Sequence, residues 1–327
     1  MGKGRQLCQA ALLVLLFLLL FPKALSDLPL PSDYLTDHGG RLVALPPIVQ
    51  KIWATTEKGT FLVYALEPDS IIGWNRGLSP ELEFAIQPQY HDLPTVGTWD
   101  ETYQTMQAGT VLEQKPDLIL HYAPADSANV ALADEIQEIL GIPALLLDSS
   151  VNALPDVLRL VGQLLGREVR GQALAAFVEN QLAQFESFQR LQAGYAPIPV
   201  HIISSYEPGH FDELLELAGM IEMPQWNSQP PLPDFVLIMP HSVFDPYGDI
   251  ERDGHRRIYQ IPSFPCTWLE PGSIFSLLGL EWLHSIAYPS YGNDLPATYK
   301  AFMEVFFQLN ITPELLEWTL RRSGISY

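Results

Sequence analysis

The sequence predicts an α/β fold of two lobes, each built on a central parallel sheet, joined by one long α-helix with a ligand cleft between them. Three observations carry this expectation. Leu118–Leu120 and Ala144–Leu147 are short apolar runs bounded by Pro and Gly, as strands buried on both faces are. Between them Ser127–Leu140 sets Leu132, Ile136, Ile139 and Leu140 on one helical face and meets Gly141 where a helix ends, so the stretch is a βαβ unit. Second, residues 167–193 run without proline and predict a helix roughly 40 Å long, a strut between lobes. Third, Pro116–His121 is echoed by Pro233–His241 on the far side of that helix, one copy per lobe.

Taken in order, Asp27–Gly40 is Pro- and Asp-rich and reads as an extended entry segment, followed by a short strand at Arg41–Leu45. Phe61–Leu66 is helical, Ser70–Trp74 a strand, and Leu93–Gly97 a brief strand with a turn. After the βαβ unit, Leu154–Leu165 places Leu154, Val157, Leu158, Val161 and Leu165 on one buried face. The alternation then restarts with a strand at Val200–Ser204, a helix at His210–Ala218, and strands at Phe235–Met239 and Arg257–Ile261. The chain closes with a helix at Ser273–Tyr288, apolar nearly all round and so buried, then helices at Ala297–Leu309 and Pro313–Ser323. Two Rossmann-like lobes result: residues 27–166, the linking helix 167–195, and an abbreviated second lobe, 196–327.

Residues 1–26 read as a secretory signal peptide. Lys3 and Arg5 precede an uninterrupted apolar run, Ala10–Phe21, and Ala24-Leu25-Ser26 is a small-x-small cleavage site. Cys8 lies before the apolar run, where it cannot serve as a lipoprotein anchor, so a secreted, periplasmic location is expected. Of 18 basic residues three lie in this leader, leaving 15 against 38 acidic ones and a net charge of −23. Such a surface repels phosphate backbones and disfavours nucleic acid. Cys266 is the single cysteine after the leader, so no intramolecular disulfide holds the fold.

Lys115–Leu120, the Gly141-Ile142-Pro143 strand entry, Leu158–Arg167 and Pro262–Leu283 together resemble, in order and spacing, the periplasmic binding proteins for ferric siderophores and cobalamin. The resemblance runs from about Arg41 onward. It implies two α/β lobes on one long helix with little hinge closure, serving an ABC importer. The pattern departs at two places: the second lobe is shortened between Tyr206 and Asp234, and Gly109 stands where the family carries a glutamate. Those acids pair with permease arginines in the family, and here the docking acids are not evident, although Glu101 and Glu113 stand nearby.

Candidate ligand contacts follow from strand ends, where open α/β sheets bind ligands. Trp74, Asn75 and Arg76 follow a strand, and a guanidinium there suits a carboxylate or catecholate chelate. The alternative is a packing Trp beside a surface Arg. His121 and His241 end equivalent strands, either facing across the cleft or serving as polar caps, with Tyr122, Tyr206 and Glu207 beside them. Phe264, Trp268 and Glu270 precede the buried helix, lining the pocket or stapling the loop to its own lobe. Cys266 is expected to be buried and inert.

The sequence has no nucleophile elbow, His-Glu-x-x-His or phosphate loop, Ser149-Ser150 and Ser204-Ser205 have no evident base, and Asn310-Ile311-Thr312 reads as a chance glycosylation acceptor. The expectation is a non-enzymatic, monomeric receptor without cofactor that captures a metal chelate, ferric siderophore foremost, with haem, cobalamin and nickel chelates as further ligands, and presents it to an ABC permease. The alternatives are a secreted chelatase-like enzyme and a sensor or adaptor that kept the fold.

Overall fold

A computed structural model describes residues 34–206, 209–223, 233–240, 257–291 and 293–321. Two parallel sheets form its frame. The first is β3 (Ile52–Ala54), β4 (Leu118–Ala123) and β5 (Ala144–Asp148), in the order β3-β4-β5. The second combines β6 (Ile198–Ile203), β7 (Met220–Glu222), β8 (Phe235–Ile238) and β9 (Arg257–Gln260), in the order β7-β6-β8-β9. The sequence echo acquires a structural meaning here: β4 and β8 are each flanked by the first strand and a later strand of their own sheet. At both, an Asp N–H donates to a carbonyl at the start of the first strand, Asp117 to Lys51, just before β3, and Asp234 to Pro199, the second residue of β6.

The first sheet departs from the sequence reading in instructive ways. Ile52–Ala54 was not foreseen as a strand, being three residues after a Pro-rich stretch, yet all three are buried. Ser70–Trp74 and Leu93–Gly97 contribute only single bridges, Ile52 with Ile71 and Trp74 with Thr95. The entry segment forms a hairpin, β1 (Tyr34–Thr36) against β2 (Leu42–Ala44). It is tied to β5 by buried Asp37, whose carboxylate accepts from Leu146 N and Arg41 Nη1.

Helix α1 (Glu57–Leu66) leaves β3 directly, capped by the Thr56 hydroxyl, which accepts from Gly59 N. Short helices α2 (Pro80–Ala85) and α3 (Ala108–Glu113) follow. In α4 (Ser127–Leu140) the buried face is Asn129, Ala133, Ile136 and Leu140; Ile139 is exposed, one position off the expected stripe. Gly141 ends the helix at φ 67°, in the left-handed conformation.

Helix α5 (Leu154–Leu164) and the linking helix α6 (Glu168–Gln192) pack closely against each other. Gly162 and Gly171 face each other so closely that a Cβ on Gly171 would lie 2.7 Å from the Leu158 carbonyl oxygen. Their lack of side chains lets the two backbones touch. At about 1.5 Å per residue the 25 residues of α6 span roughly 38 Å. Its buried face is Leu174, Ala175, Val178, Leu182, Phe185 and Phe188, whereas Val169 is exposed.

Helices α7 (Asp212–Leu217), α8 (Ser276–Ala287), α9 (Leu295–Phe307) and α10 (Pro313–Arg321) complete the described fold. An aromatic cluster stitches the closing helices to α1. Phe61 meets Phe275 edge-on at 5.6 Å, and Tyr64 and Phe275 both stack on Phe307. Arg170 of α6 reinforces the seam, donating to the carbonyls of Ala65 and Val305. Among the described residues no helix is long and apolar enough to cross a membrane.

Candidate functional site

The carboxyl ends of β3 and β6 and the loop after β9 meet along one seam. From the first sheet's side come Glu57 and Lys58, in the opening turn of α1, and Arg76, just past the Trp74–Thr95 bridge. Asn75 fixes that loop from below. It is buried, its amide nitrogen donates to the carbonyls of Ala54 and Gly97 at 3.0 Å each, and its oxygen accepts from Thr60 Oγ1 at 2.7 Å. With Asn75 pinned to β3's exit and to the next loop, Arg76 is held outward. Its guanidinium donates twice to Glu57, Nε to Oε1 at 2.9 Å and Nη2 to Oε2 at 2.8 Å. Burial lowers the Arg76 pKa, and the hydrogen-bonded Glu57 carboxylate more than offsets it, leaving it above the ordinary value.

The opposite wall is Tyr206, His210, Cys266 and Glu270. The Tyr206 hydroxyl donates to Glu270 Oε2 at 2.9 Å, and its ring stacks face to face on His210, 4.0 Å between centroids and 2° from parallel. Burial raises the Tyr206 pKa and the Glu270 charge adds to it, so the phenol keeps its proton. Burial lowers the His210 pKa, with Glu270 opposing, so its imidazole is neutral near pH 7. Cys266 is half-buried, and burial pushes its thiol well above the usual range, in keeping with an inert cysteine.

The two walls interact. Arg76 lies within electrostatic range of Tyr206 and Cys266, and Tyr206 within range of Tyr103, an exposed residue of the first wall. Lys58 Nζ crosses the seam to the Pro271 carbonyl at 3.0 Å and pairs with Glu270 at 3.9 Å. Nearby, Glu213 of α7 accepts from Val151 N at 2.9 Å. Gly272, at φ 76°, is packed so close to Ser149 that a Cβ would lie 2.9 Å from the serine's own. At the rim Phe84 of α2 meets Phe264 at 5.9 Å, and Phe264 meets Trp318 edge-on at 5.6 Å.

The sequence-derived candidates separate into two groups. Arg76 and Tyr206 are at this seam, and Phe264 borders it. Four others lie elsewhere. Trp74 is buried, its indole N–H donating to the Tyr90 carbonyl. Trp268 is 0% exposed and donates to the Phe264 carbonyl, stapling the loop to its own lobe. His121 and Tyr122 were expected to leave β4 at the cleft edge, but the strand continues to Ala123 and both side chains are sealed, at 0% and 1% exposure. The physical reason is a local network. The Asn129 carbonyl oxygen, 3.0 Å away, can only accept, so it takes the His121 Nε2 proton, and Nδ1 accepts from the Thr55 hydroxyl at 2.7 Å. Burial lowers the His121 pKa, leaving a neutral imidazole with both nitrogens engaged.

Glu207 and His241 lie outside the described residues, as does the expected leader. Missed by the sequence reading were Glu57, Lys58, Tyr103 and His210. A usable signal existed for the first two, since Thr55-Thr56 before Glu57 marks a helix N-cap at a strand exit. Among the described residues no group of three or more His, Cys, Asp or Glu comes together as a metal site.

No family model matches the chain, and no curated protein does either. Solved structures do. An ABC transporter solute binding protein from Sulfurospirillum deleyianum superposes with a TM-score of 0.76 over 88% of this chain and 99% of that one, at 20% identity. The molybdate periplasmic binding protein MolA of Haemophilus influenzae, solved with molybdate, gives 0.65 over 86% and 99%, at 15% identity. Ceue of Helicobacter pylori, solved with Ni(II) bound, gives 0.60 over 87% and 98%, at 13% identity. The chain therefore shares the fold of the periplasmic binding proteins, two α/β lobes with parallel sheets.

Proposed function

We propose that the chain is an exported, non-enzymatic solute-binding protein that captures a metal chelate between its lobes and presents it to an ABC importer. A ferric siderophore is the leading ligand. In this reading residues 27–166 form the first lobe, 167–195 the linking helix and 196–327 the second lobe. The observation that carries it is the convergence of Arg76 and Tyr103 from one wall with Tyr206, His210 and Glu270 from the other. That seam lies at the carboxyl ends of parallel strands, in a fold shared with solved binding proteins. The cross-seam contacts of Lys58, Glu213 and Arg170 support a receptor whose walls are already in place before the ligand arrives.

The test is a titration of the purified chain from residue 27 with a panel of ferric siderophores, haem, cobalamin and nickel chelates, followed by tryptophan fluorescence and calorimetry. Micromolar or tighter binding to one of them is expected. Nothing tighter than about millimolar across the panel overturns the proposal.

A further inference from the structure

The charge pattern of the seam narrows the ligand class further, on the premise that the chain is a solute-binding protein. Among the described residues, the cations named at the seam, Arg76 and Lys58, are each already matched. Arg76 is held by both oxygens of Glu57, and Lys58 is shared between Glu270 and the Pro271 carbonyl. Glu57 stands in the first turn of α1, where the amides of a helix N-terminus favour an anion. It therefore occupies, as a resident carboxylate, the position that an incoming anion would seek. Tyr206, His210 and Cys266 add no charge, because the phenol and thiol keep their protons and the imidazole is neutral.

We infer that the cleft selects a chelate without net negative charge, of the ferric tris-hydroxamate type rather than the tris-catecholate type. Three hydroxamates, each contributing one negative charge, neutralise a ferric ion. Three catecholates, each contributing two, leave a complex with three negative charges. The second complex must pull Arg76 away from Glu57, or Lys58 away from Glu270, and then lie beside the carboxylate it has uncovered. Like charges facing each other across an interface are strongly disfavoured. A neutral complex leaves both pairs intact and gains by covering the partly exposed rings of Tyr103, Tyr206 and Phe84. The acidic surface acts in the same direction at longer range, slowing the approach of a polyanion.

Calorimetric titration of the chain from residue 27 with a ferric tris-hydroxamate and a ferric tris-catecholate of similar size tests this. The neutral complex should bind at least about tenfold more tightly. Glu57→Gln releases Arg76 and should shift the ratio toward the trianion by about tenfold or more, with Glu270→Gln as a second variant acting in the same direction. Tighter binding of the trianion by the unaltered protein overturns the inference and leaves the solute-binding reading standing. So does an unchanged ratio in both folded variants. If neither complex binds while another member of the wider panel does, the inference again falls alone. If nothing in that panel binds, the solute-binding reading falls and takes the inference with it.

Discussion

The first strands of the two lobes lead to seam residues, but the polar groups at their ends are handled in opposite ways. At the exits of β3 and β4 the buried polar side chains are tied within their own lobe, although Trp53 Nε1 inside β3 has no partner: Thr55 and Asn129 close around His121, and Asn75 ties three neighbouring segments together. At the exit of β6, Tyr206 remains 41% exposed and reaches outward to Glu270. The contrast continues into the second lobe's interior. His284 of α8 is buried between Phe185 and Phe188, and its Nε2 finds no partner, while Glu281 one turn earlier is buried with it. The first lobe presents closed polar networks at its strand exits, from which Arg76 and Lys58 project. The second carries unsettled polar groups both at the seam and in its core.

The largest effect expected from breaking this contrast is at His121. His121→Leu preserves volume roughly but strands the Thr55 hydroxyl and the Asn129 carbonyl oxygen in a buried site, which should cost about 3 kcal/mol. Urea unfolding followed by circular dichroism measures it. Ligand affinity of the folded fraction should be unchanged, because His121 reaches nothing at the seam. An affinity loss without a stability loss would restore His121 to the ligand contacts.

The second lobe answers through pH. Burial, with help from Asp294, pushes the Glu281 carboxyl up to about 7, and burial depresses His284 to about 4. For Glu281 the folded state holds its proton longer than the unfolded state, so stability is full below the ordinary carboxyl value and falls as pH rises to about 7. For His284 the unfolded state takes up the proton first, so stability falls as pH drops from about 6.5 to about 4. His121 adds to the histidine side. Between about 4.5 and 6.5 the two slopes oppose each other. Glu281→Gln removes one of them: the variant should gain roughly 2–3 kcal/mol over the unaltered protein at pH 8 and nothing at pH 4.5. Denaturant titrations at the two pH values check it, and a gain equal at both would show that burial of Glu281 is not the cause.

Asn75→Ala probes the scaffold where it meets the site. Three hydrogen bonds are lost and two carbonyls and a hydroxyl are left buried, a cost of about 2 kcal/mol. Because Asn75 aims Arg76, ligand affinity should fall as well, by calorimetry on the folded variant. Stability loss with affinity intact would separate the two roles.

How much of this was legible depended on whether the cause was local. The βαβ unit, the linking helix and the closing helices follow from apolar spacing and from Gly and Pro at the boundaries, and Gly141 ends α4 as its position implied. Strand β3 was not legible because three residues carry no period, and only pairing with β4 makes Ile52–Ala54 a strand. His121 was misplaced because Leu118–Leu120 ends in the first polar residue of the run. Nothing local indicates that Thr55, 66 positions earlier, accommodates that residue inside the sheet. Arg76 and Tyr206 were legible as polar or aromatic residues after strands. Their counterparts Lys58 and His210 were not, since a lysine in a helix's first turn and a histidine beside a phenylalanine become site residues only once the lobes meet.

The smallest stability effect, and the sharpest reading of the open edge, belongs to Tyr206→Phe. The substitution removes one hydroxyl that is part-exposed and hydrogen-bonded to Glu270, so its cost to folding should be about 1 kcal/mol or less. The ring and its stack on His210 are retained. What changes is Glu270, which loses a donor and keeps only Lys58 at 3.9 Å, making its carboxylate a stronger local charge against any anionic ligand. Affinity for a trianionic chelate should therefore fall further than affinity for a neutral one, whose loss is limited to whatever hydrogen bond it takes from the phenol. If both fall alike, the hydroxyl acts on the ligand directly; if neither falls, Tyr206 is part of the wall and not of the contact. Either result would locate the ligand within the seam more finely than the loss of the whole side chain, because the aromatic surface is held constant while the charge balance moves.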